Sequence, residues 1–310
     1  MSIEPAYLNP ETIADECLTL VQPAPDGLES ATPLVLFHDG GGTSISYFYL
    51  GGLDRTVYAL QNPHFFSGEH WEGGLCEMAA LYARMICSVF PSGSILLGGW
   101  SLGGILSLEI ASVLSRSSSI KVVGIVMIDS VFPHAVSTLD KPVVSHQLKF
   151  GAYSKPETQR LALNCMDQTI AMVKVWIPPT WNGCSEPEKY AARLKSESTL
   201  FETVQRKYGS FGNTSASEGY SVVPIENLPP PPQTVLLRCN EYVPVPEGSV
   251  CRVDLVRDQE ELGWNQYKYD FITAVLDIPG NHFNIFDDTF LDDLTARVKL
   301  ACRMLERSNL

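Results

Sequence analysis

The segment SILLGGWSLGGILSLEIASVL, residues 94–114, joins a short apolar run to a longer one through a glycine-rich turn. The first run has the length of a buried strand, and the second is long enough for a buried helix. Between them lies the pattern G-x-S-x-G, from Gly99 to Gly103 with Ser101 at its centre. A serine in a tight strand–turn–helix connection is exposed above the edge of a sheet, where its oxygen can act as a nucleophile. We therefore predict that Ser101 is a nucleophile.

Two other interpretations of this segment have to be weighed. One is a glycine-rich turn before a helix that has no chemical role. The other is an attachment site of a carrier protein, because Gly-Gly-Trp-Ser-Leu resembles the G-G-x-S-L around modified serines. Such sites lie in all-helical domains and usually have Asp or His before the serine. Trp100 and the preceding strand therefore favour the nucleophile.

Apolar runs on either side of this segment predict more strands and helices. Continuous runs of this length are typical of parallel strands that are buried on both faces. The predicted strands are PLVLFH (33–38), SILLGG (94–99), KVVGIVMID (121–129), QTVLLRC (233–239) and KYDFITAVL (268–276). Helical spacing of apolar residues predicts helices over 70–90, 102–114 and 291–305. Strands that alternate with helices predict an α/β fold, with a mostly parallel central sheet and helices on both faces.

Residues 134–228 have a different pattern, without a confident strand. Leu161, Met166, Ile170, Val173 and Trp176 follow the spacing of one amphipathic helix, and residues 186–208 predict a second, more charged helix. Helices and polar loops inserted into a sheet protein are typical of a lid. We predict a core of residues 1–133 and 229–310, and a helical lid insertion of residues 134–228.

Composition excludes several classes of protein. Hydrophobic residues make up 45% of the 310-residue chain, which is enough to build a core, and the net charge of −13 disfavours nucleic acid and anionic membranes as partners. The sequence contains neither a run of about 20 apolar residues nor a secretory signal. Its eight cysteines form no C-x-x-C pair, so we expect reduced thiols, no metal site and a cytoplasmic protein.

A serine nucleophile needs a base, and the base needs an acid that orients it. In this type of fold the base comes last in the chain, and His282 lies between the strand 268–276 and the last helix. Asp129, at the end of the strand 121–129, is the predicted acid, because catalytic groups gather at the carboxyl ends of parallel strands. Glu241 and Asp277 remain alternatives for the acid.

Two backbone N–H groups should stabilise the negative oxygen of the tetrahedral intermediate. One is the N–H of Leu102, directly after the nucleophile. The other should come from the glycine run after the strand 33–38, where Gly40 is the first choice and Gly41 the second. His38, at the end of that strand, is expected to pack or to shape the glycine loop. The run lacks the spacing of a phosphate-binding loop, which makes a nucleotide cradle a weak alternative.

These motifs together resemble the thioesterase domains of polyketide and non-ribosomal peptide synthases, above all those of fungal megasynthases. The similar segments are LFHDGGGTSISYFYLGG (36–52), VYALQNPHF (57–65), LLGGWSLGGILSLEIA (96–111), VVGIVMIDSVFP (122–133), LGWNQY (262–267) and IPGNHFNIF (278–286). The resemblance spans nearly the whole chain and is weakest in the lid. It implies the α/β-hydrolase fold. It also implies a Ser101–Asp129–His282 triad, with Gly40 as the second oxyanion donor.

The resemblance further implies a substrate and a partner. Members of that family release an acyl chain from the phosphopantetheine thioester of an acyl or peptidyl carrier protein, and they need no cofactor of their own. We expect Trp100, Gly41, Trp176 and Phe283 to contact the substrate. We also expect the lid around Leu161–Trp176, together with Trp181, to form an apolar channel.

A local basic patch should face the carrier protein despite the acidic total charge. Because the chain begins at Met1 without a carrier domain, action in trans or as a stand-alone editing enzyme is expected, with an excised domain as the other possibility. The alternatives for function are an acyltransferase or cyclase that uses the same acyl-serine, and a non-catalytic binding protein.

Overall fold

The computed structural model describes residues 17–117, 119–146, 154–182 and 227–308, together with several positions between 195 and 207. The strands in this part of the chain are β1 Leu18–Gln22, β2 Leu34–Phe37, β3 Val57–Leu60, β4 Gly93–Trp100, β5 Ile120–Ile128, β6 Val143–Val144, β7 Thr234–Cys239, β8 Val250–Cys251 and β9 Ile272–Ile278. Seven of them form one sheet in the order β1-β3-β2-β4-β5-β7-β9. All neighbouring strands in this sheet are parallel except β1 and β3, which pair antiparallel at one edge.

Helices cover both faces of this sheet. The α-helices are α1 Gly74–Val89, α2 Leu102–Ser117, α3 Pro156–Val175 and α4 Asp288–Arg307. Successive side chains of a strand point to opposite faces, and this alternation separates two cores. Val35 and Phe37 of β2 pack with α1 and α2, whereas Leu34 and Leu36 pack on the side that holds α4. The α/β-hydrolase fold class is thus confirmed, with the sheet mostly parallel.

The observed strands differ from the predicted ones at the edges of the sheet. Neither β1 nor β3 is predicted. β1 is an edge strand in which Thr19 and Leu20 are exposed, so it lacks the continuous apolar run of a strand that is buried on both faces. The last strand is displaced toward the C-terminus, since β9 spans Ile272–Ile278 where 268–276 is predicted. A two-residue strand, β6, lies in the segment for which no strand is expected, and it pairs with β8.

The segment predicted to form a lid, residues 134–228, is described only in part. Its first predicted helix is α3, which begins with Pro156 and ends at Val175, so Trp176 caps the helix rather than belonging to it. The predicted helix over 186–208 falls largely outside the described residues. None of the helices that the structure describes is both long enough and apolar enough to span a membrane.

Candidate active site

Ser101 occupies a sharp turn between β4 and α2. Its backbone has a φ of +56°, a left-handed conformation that is uncommon for a residue with a side chain, and its N–H donates to the carbonyl of Ile128 at 2.9 Å. A Cβ atom on Gly103 would lie 2.3 Å from the carbonyl oxygen of Phe37, so the helix approaches β2 too closely for any other residue. The glycine spacing read from the sequence therefore has a steric cause.

Three side chains form a hydrogen-bonded series at the carboxyl ends of the strands. His282, in the loop between β9 and α4, places Nε2 3.1 Å from Oγ of Ser101 and Nδ1 2.7 Å from Oδ2 of Asp129. Asp129 directly follows β5 and has a φ of +46°, which turns its carboxylate toward the histidine. These contacts have the geometry of a catalytic triad. A carboxylate on Nδ1 places the ring proton there and leaves Nε2 free to accept the serine proton.

Asp129 is completely buried, and both oxygens of its carboxylate accept two hydrogen bonds each. Oδ2 also accepts Nη2 of Arg257 at 2.8 Å, while Oδ1 accepts the backbone N–H of Cys239 at 2.9 Å and Nη1 of Arg257. Burial by itself would raise the pKa of Asp129, but the hydrogen bond from His282 and the charge of Arg257 outweigh it and hold the pKa well below its ordinary value. Asp129 therefore stays ionised at every pH at which the histidine acts as a base.

Among the described residues, neither of the two alternative acids forms a hydrogen bond with His282. Glu241 is exposed, and the bond that connects it to this region is the one from its backbone N–H to the carbonyl of Gly280. Asp277 is 53% exposed and forms an ion pair with Arg238 at 2.8 Å. Of the three candidate acids, Asp129 at the end of β5 is therefore the one whose position allows contact with His282.

The glycine loop after β2 offers one free donor beside Ser101. The N–H of Gly41 already donates to Oδ1 of Asp39 at 3.0 Å, and that of Gly42 donates to the Asp39 carbonyl at 3.1 Å. Within the described part of the chain, the N–H groups of Gly40 and Leu102 have no acceptor. Both residues line the cavity at Ser101, so the geometry favours Gly40 over Gly41.

His38 holds the peptide unit that carries the Gly40 N–H. Its Nδ1 lies 2.6 Å from the Asp39 carbonyl, and because a carbonyl only accepts, Nδ1 carries the proton and Nε2 accepts from the Tyr82 hydroxyl at 2.7 Å. Burial lowers the pKa of His38 to about 4, so the ring is neutral near pH 7. The Asp39 carbonyl and the Gly40 N–H share one rigid peptide plane, so fixing the first also aims the second.

A cavity of about 230 Å³ opens onto Ser101 and His282. Apolar side chains form most of its wall, and both α3 and the segment after β8 contribute to it. The wall includes Met166, Ile170 and Val173 from α3, and Val253, Leu255 and Val256 from the segment after β8. Two exposed cations, Lys174 and Arg252, also line it, and neither forms an ion pair with any residue described.

Comparison with known proteins identifies the family. The family model described as "Thioesterase domain" matches residues 32–146. "Probable thioesterase gloN" of Glarea lozoyensis is 34% identical over 281 residues, which are 88% of this chain and 90% of that protein. "Thioesterase frbE" of Dothideomycetidae sp. is 31% identical over 298 residues, which are 93% of this chain and 96% of that protein. This chain belongs to the thioesterase family.

The thioesterase is accordingly a hydrolase, as the resemblance implied. Among solved structures, the NocB thioesterase domain from the nocardicin cluster superposes with a TM-score of 0.54 and 19% identity, covering 93% of this chain and 99% of that one. At that identity the likeness concerns the fold.

Four residues were predicted to bind substrate, and none of them lies in the wall of the cavity. Trp176 is buried, and its indole N–H donates to Glu109 at 2.9 Å, so the ring ties the end of α3 to α2. Trp100 and Phe283 instead flank the His282 ring, at centroid distances of 5.5 and 4.9 Å. Gly41 is bound to Asp39, as described above.

Trp181, which we also expect at the channel, is not among the described residues that line this cavity. Trp181 is buried, and its indole N–H donates to the hydroxyl of Tyr267 at 3.1 Å. Met166, Ile170 and Val173, which do line the cavity, belong to the segment Leu161–Trp176 that we expect at the channel, and the segment after β8 adds further apolar residues. An aromatic residue in a sequence indicates burial, but not the neighbours against which it packs.

Arg257 is the main residue of this thioesterase site that the sequence analysis missed. It lies in VRDQEEL (256–262), a charged run typical of an exposed segment, although the side chain is only 4% exposed. An arginine among four acidic or amide neighbours carries no local signal of burial.

The described part of the chain contains no group of three or more His, Cys, Asp or Glu suited to hold a metal ion.

Proposed function

We propose that this thioesterase releases an acyl chain, a polyketide or a peptide, from the phosphopantetheine thioester of a carrier protein in secondary metabolism. Oγ of Ser101 attacks the thioester carbonyl while Nε2 of His282 takes the serine proton. The C–S bond then breaks, and His282 returns the proton to the departing thiolate. Water attacks the acyl-serine ester with the same base and releases the acid. The observation that carries this proposal is the single imidazole in contact with both Ser101 and Asp129.

The surroundings of the serine support an acyl substrate. The N–H groups of Leu102 and Gly40 would hold the oxyanion, because both lack an acceptor within the described residues and both residues line the cavity. The apolar wall formed by α3 would bind the hydrocarbon part of the chain next to the carbonyl.

The charges at the cavity support an acidic partner. Lys174 and Arg252 are exposed, line the wall and lack ion-pair partners among the described residues, in a chain whose net charge is −13. Carrier proteins are usually acidic, and two local cations would counter the long-range repulsion. We propose action in trans because the fungal relatives named above are covered over 90% and 96% of their lengths, which leaves little room for a carrier domain in them.

The nucleophile is tested by covalent labelling. A fluorophosphonate should add to Ser101 in the intact protein, and mass spectrometry of the digested protein should locate the adduct. Ser101→Ala should abolish both labelling and thioester hydrolysis. Ser94→Ala, an exposed serine of the same strand, is the matched control and should behave as the wild type. An adduct elsewhere, or hydrolysis that survives Ser101→Ala, would refute the mechanism.

The partner is tested by comparing two substrates that carry the same acyl group. One is an acyl carrier protein loaded through phosphopantetheine, and the other is the N-acetylcysteamine thioester. Lys174→Glu with Arg252→Glu should raise KM for the loaded carrier and leave KM for the small thioester nearly unchanged. Lys121 is an exposed lysine near the start of β5, at the end of the strand opposite Asp129, and Lys121→Glu should raise neither KM value. Equal effects on both substrates would argue against carrier docking, and an ester, lactone or amide product would assign the enzyme to acyl transfer or cyclisation.

A further inference from the structure

A buried arginine contacts the acid of the triad, and a second buried carboxylate holds that arginine. Arg257 is 4% exposed, and Asp129 and Asp254 are both fully buried. The guanidinium bonds to both carboxylate oxygens of Asp129, while its Nε donates to Oδ1 of Asp254 at 3.0 Å. Oδ2 of Asp254 in turn accepts the backbone N–H of Val243 at 2.7 Å. Buried ions are strongly destabilising unless each one is paired, and here each one is.

The position of the guanidinium is fully determined, because all five of its N–H groups have acceptors. Three go to the two carboxylates just described. The other two go to backbone carbonyls, from Nη1 to Cys239 at 3.2 Å and from Nη2 to Val253 at 3.4 Å. A guanidinium group whose donors are all engaged is a rigid, planar support. We call its two bonds to the carboxylate oxygens of Asp129 the fork.

This support determines how the acid presents itself to the base. Each oxygen of Asp129 accepts two hydrogen bonds: Oδ1 from Arg257 and Cys239, and Oδ2 from Arg257 and His282. Without the fork, one donor would remain on each oxygen and the carboxylate could rotate about its terminal bond. The fork therefore holds Oδ2 in line with Nδ1 of His282.

The same residues set the charge next to the base. Asp129, Arg257 and Asp254 sum to −1, so the cluster becomes neutral when His282 takes the proton from Ser101. Arg257 alone would cancel the carboxylate that stabilises the imidazolium, and Asp254 restores that negative charge. Among the described residues, the other titratable groups that interact with these four are Asp39, which faces His282, and Cys239, Tyr242 and Cys251, which face Arg257 or Asp254.

We propose that Arg257 and Asp254 are positioning residues of the active site. Arg257 orients the Asp129 carboxylate, and the Arg257–Asp254 pair sets the charge that faces His282. The inference rests on the proposed function only in taking His282 as the base that activates Ser101.

The test measures the second-order rate of Ser101 labelling by a fluorophosphonate between pH 4 and 9, which requires no knowledge of the natural substrate. The labelling rate falls at low pH as the base becomes protonated, and we call this falling part of the pH–rate profile the acid limb. Arg257→Gln removes a positive charge near the imidazolium, so its acid limb should move up by about one pH unit. Asp254→Asn removes a negative charge, so its acid limb should move down by about the same amount. Arg257→Lys keeps the charge but loses the fork; its limb should stay, while the plateau rate falls about tenfold.

Asp258→Asn is the matched control for Asp254→Asn, since Asp258 is exposed and contacts the hydroxyl of Tyr242. Solvent screens an exposed charge, so this variant should move the limb by much less. Circular dichroism in the near ultraviolet shows which variants fold. If Arg257→Gln does not fold, the downward shift in Asp254→Asn and the unshifted but slower Arg257→Lys carry the test.

Shifts in the same direction for Arg257→Gln and Asp254→Asn, or no shift in folded Asp254→Asn, would overturn the inference. Opposite shifts support it, because a merely structural role would slow the reaction without moving the two limbs apart. A wild-type protein that labels normally but hydrolyses no thioester would refute the proposed function and leave this test valid. Absence of labelling in the wild type would overturn both.

Discussion

Replacing Asp129 with asparagine should inactivate the enzyme, because every position around the carboxylate is occupied by a donor. Oδ1 faces the N–H of Cys239 and Nη1 of Arg257, and Oδ2 faces Nη2 of Arg257 and Nδ1 of His282. The amide nitrogen of Asn therefore meets a donor in either orientation. If it faces His282, the ring must accept at Nδ1 and carry its proton on Nε2, where it blocks proton transfer from Ser101.

Both the rate and the stability should fall in this variant. Loss of the correct tautomer and of the charge that stabilises the imidazolium should lower kcat by about 10⁴-fold. Removing one partner of a buried ion pair destabilises a protein by about 3–5 kcal/mol. Because Asp254 still pairs with Arg257, we expect the lower end of that range, about 3 kcal/mol.

The assay compares Asp129→Asn with Glu241→Gln, which removes the same kind of charge from an exposed rival. Hydrolysis of an acyl N-acetylcysteamine thioester gives kcat, and urea denaturation gives the free energy of unfolding. Glu241→Gln should match the wild type in both. A folded Asp129→Asn enzyme that retains more than a tenth of the wild-type kcat would refute the reasoning, as would an inactive Glu241→Gln.

Three further predictions concern the scaffold of the site. Gly103→Ala would place a Cβ 2.3 Å from a carbonyl oxygen of β2, so the free energy of unfolding measured by urea denaturation should fall by about 3 kcal/mol. Gly52→Ala, with open space around it, should change that free energy little, and equal effects of the two variants would exclude a steric cause. Trp176→Phe removes the donor to the buried carboxylate of Glu109 and should lower the free energy of unfolding by about 2 kcal/mol, and an unchanged value would show that the bond contributes nothing. Burial raises the pKa of Asp39 to about 6 from an ordinary 3.8, so its contribution to stability is present below pH 4 and is lost as the pH rises through 6. Asp39→Asn should therefore gain up to about 3 kcal/mol relative to the wild type between pH 4 and 7 in denaturation curves, and parallel curves would contradict the shifted pKa.

Features whose cause is local along the chain could be read from the amino-acid sequence. The apolar runs of β2, β4 and β5 are continuous because both faces of those strands are covered. Gly99 must be glycine because a Cβ there would lie 2.7 Å from the Cα of Gly103, only four residues along the chain. Ser101, Asp129 and His282 could be predicted to lie together because each follows a parallel strand, and the carboxyl ends of parallel strands all lie at one edge of the sheet. These predictions depend on backbone sterics and on burial, which act over a few residues.

Features whose cause is a contact between distant segments appeared only in the folded molecule. The direction in which Trp176 is buried depends on Glu109, 67 residues away, and the choice of Gly40 over Gly41 depends on the Asp39 side chain capturing the second N–H. Arg257 contacts Asp129 across 128 residues, and the run around it looks like exposed surface. Its burial follows from the chain folding back against the end of β5, where a carboxylate already lacks water and a cation is the partner that stabilises it.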